Sequence, residues 1–130
     1  MRNLIVILMF ILVGCGSSNN ESMFKGNLIN PIPNSIKNIN MVKERSAMHG
    51  ALFFDFESSE KDLNLIIQKN NLNQEKEIPD IIKSVTTNAP WVNEIKSKNI
   101  KIYGKILEEK YEWHTLYLFV AEKKIYCVKN

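Results

Sequence analysis

The feature that most constrains this chain is a run of ten apolar residues near its start, from Leu4 to Val13. A helix of that length rises about 15 Å, half of the roughly 30 Å hydrocarbon core of a bilayer. A stable membrane-spanning helix is therefore not expected here. One basic residue, Arg2, precedes the run and small residues follow it, which is the pattern of a secretory signal peptide.

The four residues Leu12-Val13-Gly14-Cys15 resemble a bacterial lipobox, in which an aliphatic residue, a small or aliphatic one and Gly, Ala or Ser precede Cys. The resemblance implies that Cys15 carries a thioether-linked diacylglycerol and a fatty acyl group. It also implies that a signal peptidase cuts between Gly14 and Cys15. Two or three acyl chains on one residue make membrane attachment effectively permanent. The alternatives are an ordinary signal peptide with a chance cysteine and a buried apolar strand.

These features divide the 130 residues into three segments. Residues 1–14 are expected to be a lipoprotein signal peptide, and residues 15–30, rich in Gly, Ser and Asn, a lipid anchor and flexible tether. Residues 31–130 are expected to form a single domain, since domains typically have about 100–150 residues. A lipidated Cys15 leaves Cys127 alone, without an internal disulfide, and its apolar neighbours favour a buried, inert thiol.

The composition excludes several classes of protein and of partner. Hydrophobic residues make up 45% and charged residues 24%, which excludes a collagen-like chain and a polar disordered one. The formal charge of +3 falls to +2 when Arg2 is removed, and the basic residues are not clustered on one segment. No nucleic-acid partner is therefore expected.

The apolar residues of the folded part either alternate or recur at helical spacing. Strands are predicted over 38–45, 48–57, 100–106, 111–121 and 125–128. A helix is predicted from an N-cap at Ser59 to Asn70-Asn71, with short helical turns over 78–85 and 90–95. This order predicts an α+β domain, an antiparallel sheet of about five strands with one long and one or two short helices on one face. Both faces of strand 111–121 are apolar, which places it centrally.

Few residues offer catalytic chemistry. His49 and His114 lack the spacing of metal ligands, so neither a metal nor a cofactor beyond the lipid on Cys15 is expected. Asp55 and Glu57 share a strand face and could form a carboxylate pair for acid–base catalysis. A solvated strand end that leads into a helix cap explains them more simply, so an enzyme is not expected.

Aromatic residues offer a candidate binding patch. Tyr103, Tyr111 and Trp113 could line an exposed surface beside the turn at 107–112, whose charged residues would form its rim. The alternative is that these residues belong to the core, as strand aromatics usually do.

Several short motifs are similar to those of a group of small bacterial envelope lipoproteins without an assigned activity. They are Ile32-Pro33-Asn34-Ser35-Ile36-Lys37-Asn38-Ile39, Phe54-Asp55-Phe56, Pro90-Trp91 and the closing Tyr117-Leu118-Phe119 and Ile125-Tyr126-Cys127-Val128. The group usually carries alanine where this chain has Ile36. The resemblance implies a fold and a location, and no activity.

Together these features favour a non-enzymatic protein that is anchored by lipid to the cell membrane or outer membrane, with its domain in the periplasm or at the cell surface. Its expected partners are the membrane, through the anchor, and a protein or another envelope component. Two alternatives stay open. One is an immunity or inhibitor lipoprotein that neutralises a periplasmic toxin or lytic enzyme, and the other is a hydrolase that uses Asp55 and Glu57.

Overall fold

A computed structural model describes residues 18–45, 50–109 and 112–130 and divides the chain into two compact units, Met1–Ile32 and Pro33–Asn130. The described part of the first unit contains helix α1, Ser18–Asn27. The sequence predicted a flexible tether over these residues, and the structure differs. Glu21 in the first turn and Lys25 in the last complement the helix dipole. The backbone NH of Leu28 donates to the carbonyl of Phe24 over 2.8 Å at the helix end.

The second unit is built on a six-stranded, wholly antiparallel sheet with the order β1-β2-β6-β5-β4-β3. Its strands are β1 Lys37–Arg45, β2 Gly50–Glu57, β3 Asn73–Glu75, β4 Lys101–Glu109, β5 Glu112–Ala121 and β6 Lys124–Lys129. Its helices are α2 Glu60–Lys69, α3 Asp80–Thr86 and α4 Val92–Lys96. The predicted α+β class is therefore confirmed.

The two central strands are β5 and β6, joined by a tight turn. Ala121 pairs with Lys124, so only Glu122 and Lys123 form the connection, and Glu122 adopts a positive φ of 57°. Strand β5 is flanked by β6 and β4, as its apolar residues on both faces predicted. Leu118, opposite Cys127, is fully buried on one face, and Phe119, opposite Tyr126, is fully buried on the other.

One side of the sheet, here called the Trp91 face, is covered by α3 and α4. Trp91 lies immediately before α4 and packs its indole against rings from three strands, with centroid separations of 5.9 Å to Phe53, 5.7 Å to Phe119 and 5.4 Å to Tyr126. Ile82 of α3 and Ile95 of α4 belong to the same buried cluster. This aromatic cluster is the core of the Trp91 face.

The opposite side, here called the α2 face, carries helix α2. Leu63 and Ile66 of α2 are buried, and the Nζ of Lys105 in β4 donates to the carbonyl of Asn70 at the end of α2 over 3.2 Å. The prediction that all helices lie on one face is therefore wrong. A sheet whose central strand is apolar on both faces needs cover on both, because exposed apolar surface is unfavourable.

The sixth strand, β3, was not predicted. Its three residues, Asn73, Gln74 and Glu75, are all polar and show no apolar alternation. They pair with Gly104, Tyr103 and Ile102 at the edge of the sheet. A short polar edge strand of this kind forms because it pairs with its neighbouring strand, and its own residue sequence does not predict it.

Candidate functional site

A cleft of about 430 Å³ opens on the α2 face, between the start of α2 and the ends of β4 and β5. It is lined by Ser58, Glu60, Leu63, Asn64, Asn99, Ile100, Lys101, Tyr103, Val120 and Glu122. The volume lies within the range of about 300–1,000 Å³ that is usual for sites that bind small molecules. All of these residues belong to the second unit, Pro33–Asn130.

The cleft has an apolar floor and a polar rim. Leu63 and Val120 are each 7% exposed and Ser58 is 5% exposed, so the floor is almost entirely buried. Tyr103 is half-buried in the wall. The side chains of Glu60, Asn64, Asn99, Lys101 and Glu122 are exposed around the opening.

The first turn of α2, which supplies the near side of the cleft, is held by a hydrogen-bond network. Ser59 is the N-cap, and its hydroxyl accepts from the backbone NH of Asp62 over 3.2 Å. The hydroxyl of Ser35 donates to the Asp62 carboxylate, and the backbone NH of Ser35 donates to the same oxygen over 3.1 Å. The Ser35 hydroxyl, the main cause, lowers the pKa of Asp62 below its ordinary value. These contacts fix the turn from which Glu60 and Asn64 extend.

The polar side chains of the rim make no hydrogen bond or ion pair with any described residue. This holds for Glu60, Asn64, Asn99, Lys101 and Glu122, and for the hydroxyl of Tyr103. The rim offers two amides that both donate and accept, two carboxylates that accept and one ammonium that donates. It can therefore satisfy a ligand that presents donors and acceptors together.

A second concavity, of about 330 Å³, lies beside α3 and α4. Its apolar residues are Ile78, Val92, Ile95 and Ile100, and Lys83 and Lys96 also line it. The Nζ of Lys83 lies 3.9 Å from Oδ1 of Asp80, and both side chains are largely exposed. Thr86 and Thr87 complete the lining, and their hydroxyls donate to the backbone carbonyls of Ile82 and Lys83. The two lysines are therefore the polar groups that this concavity offers to a ligand, and among the described residues it has no amide or aromatic group beside them.

The predicted aromatic patch is described only in part. Tyr103 lines the cleft, whereas Tyr111 lies outside the described residues. Trp113 pairs with Glu108 in the β4–β5 hairpin, and its side chain lies outside the described part. The patch of three residues therefore stays a prediction. Of its three side chains the structure describes that of Tyr103, which lines the cleft.

The two carboxylates considered for acid–base catalysis have separate partners. Asp55 accepts from Lys124 and from Asn40, each over 2.9 Å, and Glu57 accepts from the side-chain amide of Asn38. Neither carboxylate lines either of the two concavities. Both carboxylates therefore hydrogen-bond to side chains of the strands that flank β2, which are β1 and β6.

The remaining candidate residues are placed as follows. Cys127 is fully buried, as expected, and burial raises the pKa of its thiol, which disfavours the reactive thiolate. His114 is exposed on β5, and His49 lies outside the described residues. Within the described ranges, no group of three or more metal-ligating side chains is assembled.

Gly14 and Cys15 of the lipobox lie outside the described residues, so the lipid anchor stays a prediction from sequence. Over residues 18–45, 50–109 and 112–130, none of the helices is long and apolar enough to span a bilayer. Comparison of the chain with protein-family models, with curated proteins and with solved structures returns no match.

Sequence reasoning did not find the cleft. Its residues come from three stretches, 58–64, 99–103 and 120–122, which are far apart along the chain. The one available signal was the strand alternation that sets Lys101 and Tyr103 on the same face of β4. Nothing in the sequence indicated that the start of α2 would lie beside that face.

Proposed function

We propose that the protein is a lipid-anchored component of the bacterial cell envelope, held at the cell membrane or outer membrane through Cys15. The observation that carries the proposal is the sequence Leu12-Val13-Gly14-Cys15 at the end of a ten-residue apolar run.

We further propose that this second unit is a binding module and not an enzyme, with the cleft on the α2 face as its binding site. The support is the chemistry of that cleft: a buried apolar floor and a rim of polar side chains that no described residue engages. Such a site can take up an envelope component or part of a partner protein.

The anchor is tested by labelling cells with radioactive palmitate. The wild-type protein is expected to incorporate the label, and Cys15→Ala is expected to abolish incorporation and to block maturation at the Gly14–Cys15 bond. Cys127→Ala is the matched control, because it removes the other cysteine and is expected to leave labelling unchanged. Normal processing and labelling of the Cys15→Ala variant would contradict the proposal.

The partner is sought by crosslinking in intact cells, followed by mass spectrometry of the captured material. We expect the wild-type protein to capture an envelope component, and we expect this capture to be lost when Asn64 and Asn99 are replaced by alanine. Specific capture of a toxin or a lytic enzyme would instead favour an immunity or inhibitor lipoprotein.

A further inference from the structure

The shape of the cleft on the α2 face limits the size of what it can hold. A concavity of about 430 Å³ accommodates a small molecule or the end of a polymer. A stable protein–protein interface usually covers about 800 Å² on each partner and some 20–30 residues, whereas ten residues line this cleft. The occupant is therefore a small ligand or one terminal unit of a larger one.

The charges of the rim disfavour an anionic ligand. Glu60 and Glu122 carry negative charges and Lys101 carries a positive one, so the rim is negative on balance. A net negative opening repels anionic ligands. Nucleic acids, phosphates and acidic peptides are consequently poor candidates.

The polar groups of the rim favour a ligand with many donors and acceptors. Asn64 and Asn99 each offer an amide that donates and accepts, which is the pairing that another amide requires. Because these side chains make no hydrogen bond with any described residue, a ligand does not have to break internal bonds to engage them.

The floor and wall favour a ligand with an apolar surface as well. Leu63 and Val120 present buried aliphatic groups, and Tyr103 supplies an aromatic ring in the wall. A sugar ring has an apolar side of CH groups and an edge of hydroxyl groups, and an acetamido substituent adds a methyl group and an amide. Each of these parts has a counterpart in the cleft.

We propose that the cleft binds a neutral saccharide bearing acetamido groups, so that the envelope component recognised by this protein is a glycan of N-acetylated amino sugars. The inference rests on the proposed function, since it names the ligand of the same cleft. Asn64 and Asn99 bond the acetamido and hydroxyl groups, Tyr103 contacts the ring, and Leu63 and Val120 receive the acetyl methyl.

Isothermal titration calorimetry on the full chain tests the proposal, with the protein purified through its anchor in a detergent that has no sugar headgroup. The probes are N,N′-diacetylchitobiose, cellobiose and N-acetyl-alanyl-alanine amide. Saturable binding of the N-acetylated disaccharide, with cellobiose and the peptide amide each at least about tenfold weaker, is the expected result. Equal affinity for cellobiose would overturn the acetamido assignment, and binding of the peptide amide alone would replace the saccharide by a peptide.

Variants locate the binding in the cleft. Asn64→Ala and Asn99→Ala are each expected to weaken binding about tenfold, because each removes an exposed hydrogen-bonding side chain. Asn93→Ala, at an exposed position of α4 outside the cleft, is the matched control and is expected to bind as the wild type does. Tyr103→Phe is expected to retain most of the affinity and Tyr103→Leu to lose it.

Failure of this inference can be told apart from failure of the proposed anchor. A protein that incorporates palmitate but binds none of the three probes would remain a lipid-anchored protein with a wrongly assigned ligand. A protein that binds the disaccharide but incorporates no palmitate would support the ligand assignment and contradict the lipid anchor.

Discussion

The two faces of the central sheet are both covered by helices, yet the polar side chains around Tyr126 and those at the rim of the cleft differ in their partners. On the Trp91 face the hydroxyl of Tyr126 donates to Glu94 over 2.7 Å and accepts from Lys98 over 3.1 Å. On the α2 face the rim of the cleft leaves its amides, carboxylates and ammonium group without described partners. The contrast is local, since the indole NH of Trp91 is buried without a hydrogen-bond partner among the described residues and Lys105 on the α2 face is paired. It is the reason why we place the proposed binding site at the rim of the cleft and expect the Trp91 cluster to act in stability.

The largest effect is expected from truncation of the indole at the centre of the Trp91 face. Trp91 is 2% exposed and contacts three aromatic rings, so Trp91→Ala leaves a cavity and is expected to cost about 3–5 kcal/mol of the free energy of unfolding. Chemical denaturation measures this loss. Leu65→Ala, at a leucine of α2 that is 43% exposed, is the control and is expected to cost less than about 1.5 kcal/mol. If Trp91→Ala cost no more than Leu65→Ala does, the stabilising role of the Trp91 face would be contradicted.

A smaller effect is expected at Gly104, which lies on the same face. A Cβ atom at this position would overlap the ring of Tyr117 on the neighbouring strand. Gly104→Ala is therefore expected to cost about 1–3 kcal/mol, because the ring must move away from its packed position. Gly50→Ala is the matched control, since a Cβ there meets only the carbonyl of Glu44 at 3.7 Å. Equal thermal stability of the two variants would show that the Tyr117 ring is not fixed.

The smallest effect is expected on the α2 face and depends on pH. Because the pKa of Asp62 is lowered in the folded protein, chiefly by the Ser35 hydroxyl, its stabilising contribution is present above the unfolded-state pKa of about 3.9. It is lost as the pH falls through the lower folded-state pKa. Asp62→Asn is therefore expected to flatten the decline in stability below about pH 4, as followed by urea denaturation at several pH values.

Ser35→Ala provides the cross-check, since it removes the donor of that hydrogen bond and is expected to flatten the same acid decline. The double variant is expected to be no flatter than Asp62→Asn alone, because that change already removes the titrating carboxylate to which the Ser35 hydroxyl donates. Additive effects of the two substitutions would contradict a shared hydrogen bond between Ser35 and Asp62.

The fold could be predicted from sequence wherever the side-chain pattern itself selects the structure. The N-cap at Ser59 and the end of α2 near Asn70 are local signals, and both are confirmed. Strand β3 has no such pattern, and its position follows from pairing with β4. The face on which α2 packs is likewise decided by tertiary contacts, so the sequence did not reveal that α2 lies on the side opposite to α3 and α4.

The candidate site was less predictable than the fold. The residues of its rim are exposed and polar, so no periodicity distinguishes Asn64 or Asn99 from other surface asparagines. They form a site only because α2 crosses the α2 face beside Lys101 and Tyr103. The predicted lipobox is the opposite case, since its signal lies in one continuous stretch, the apolar run and the four residues Leu12-Val13-Gly14-Cys15.

The central claim is that the α2 face binds and the Trp91 face stabilises. The most direct measurement is the change in backbone amide NMR shifts of the full chain when N,N′-diacetylchitobiose is added to saturation. The claim predicts shifts concentrated at residues 58–64, 99–103 and 120–122, with the amides around Trp91 unchanged. Shifts that concentrate around Trp91, α3 and α4 instead, or no saturable shifts at all, would contradict it.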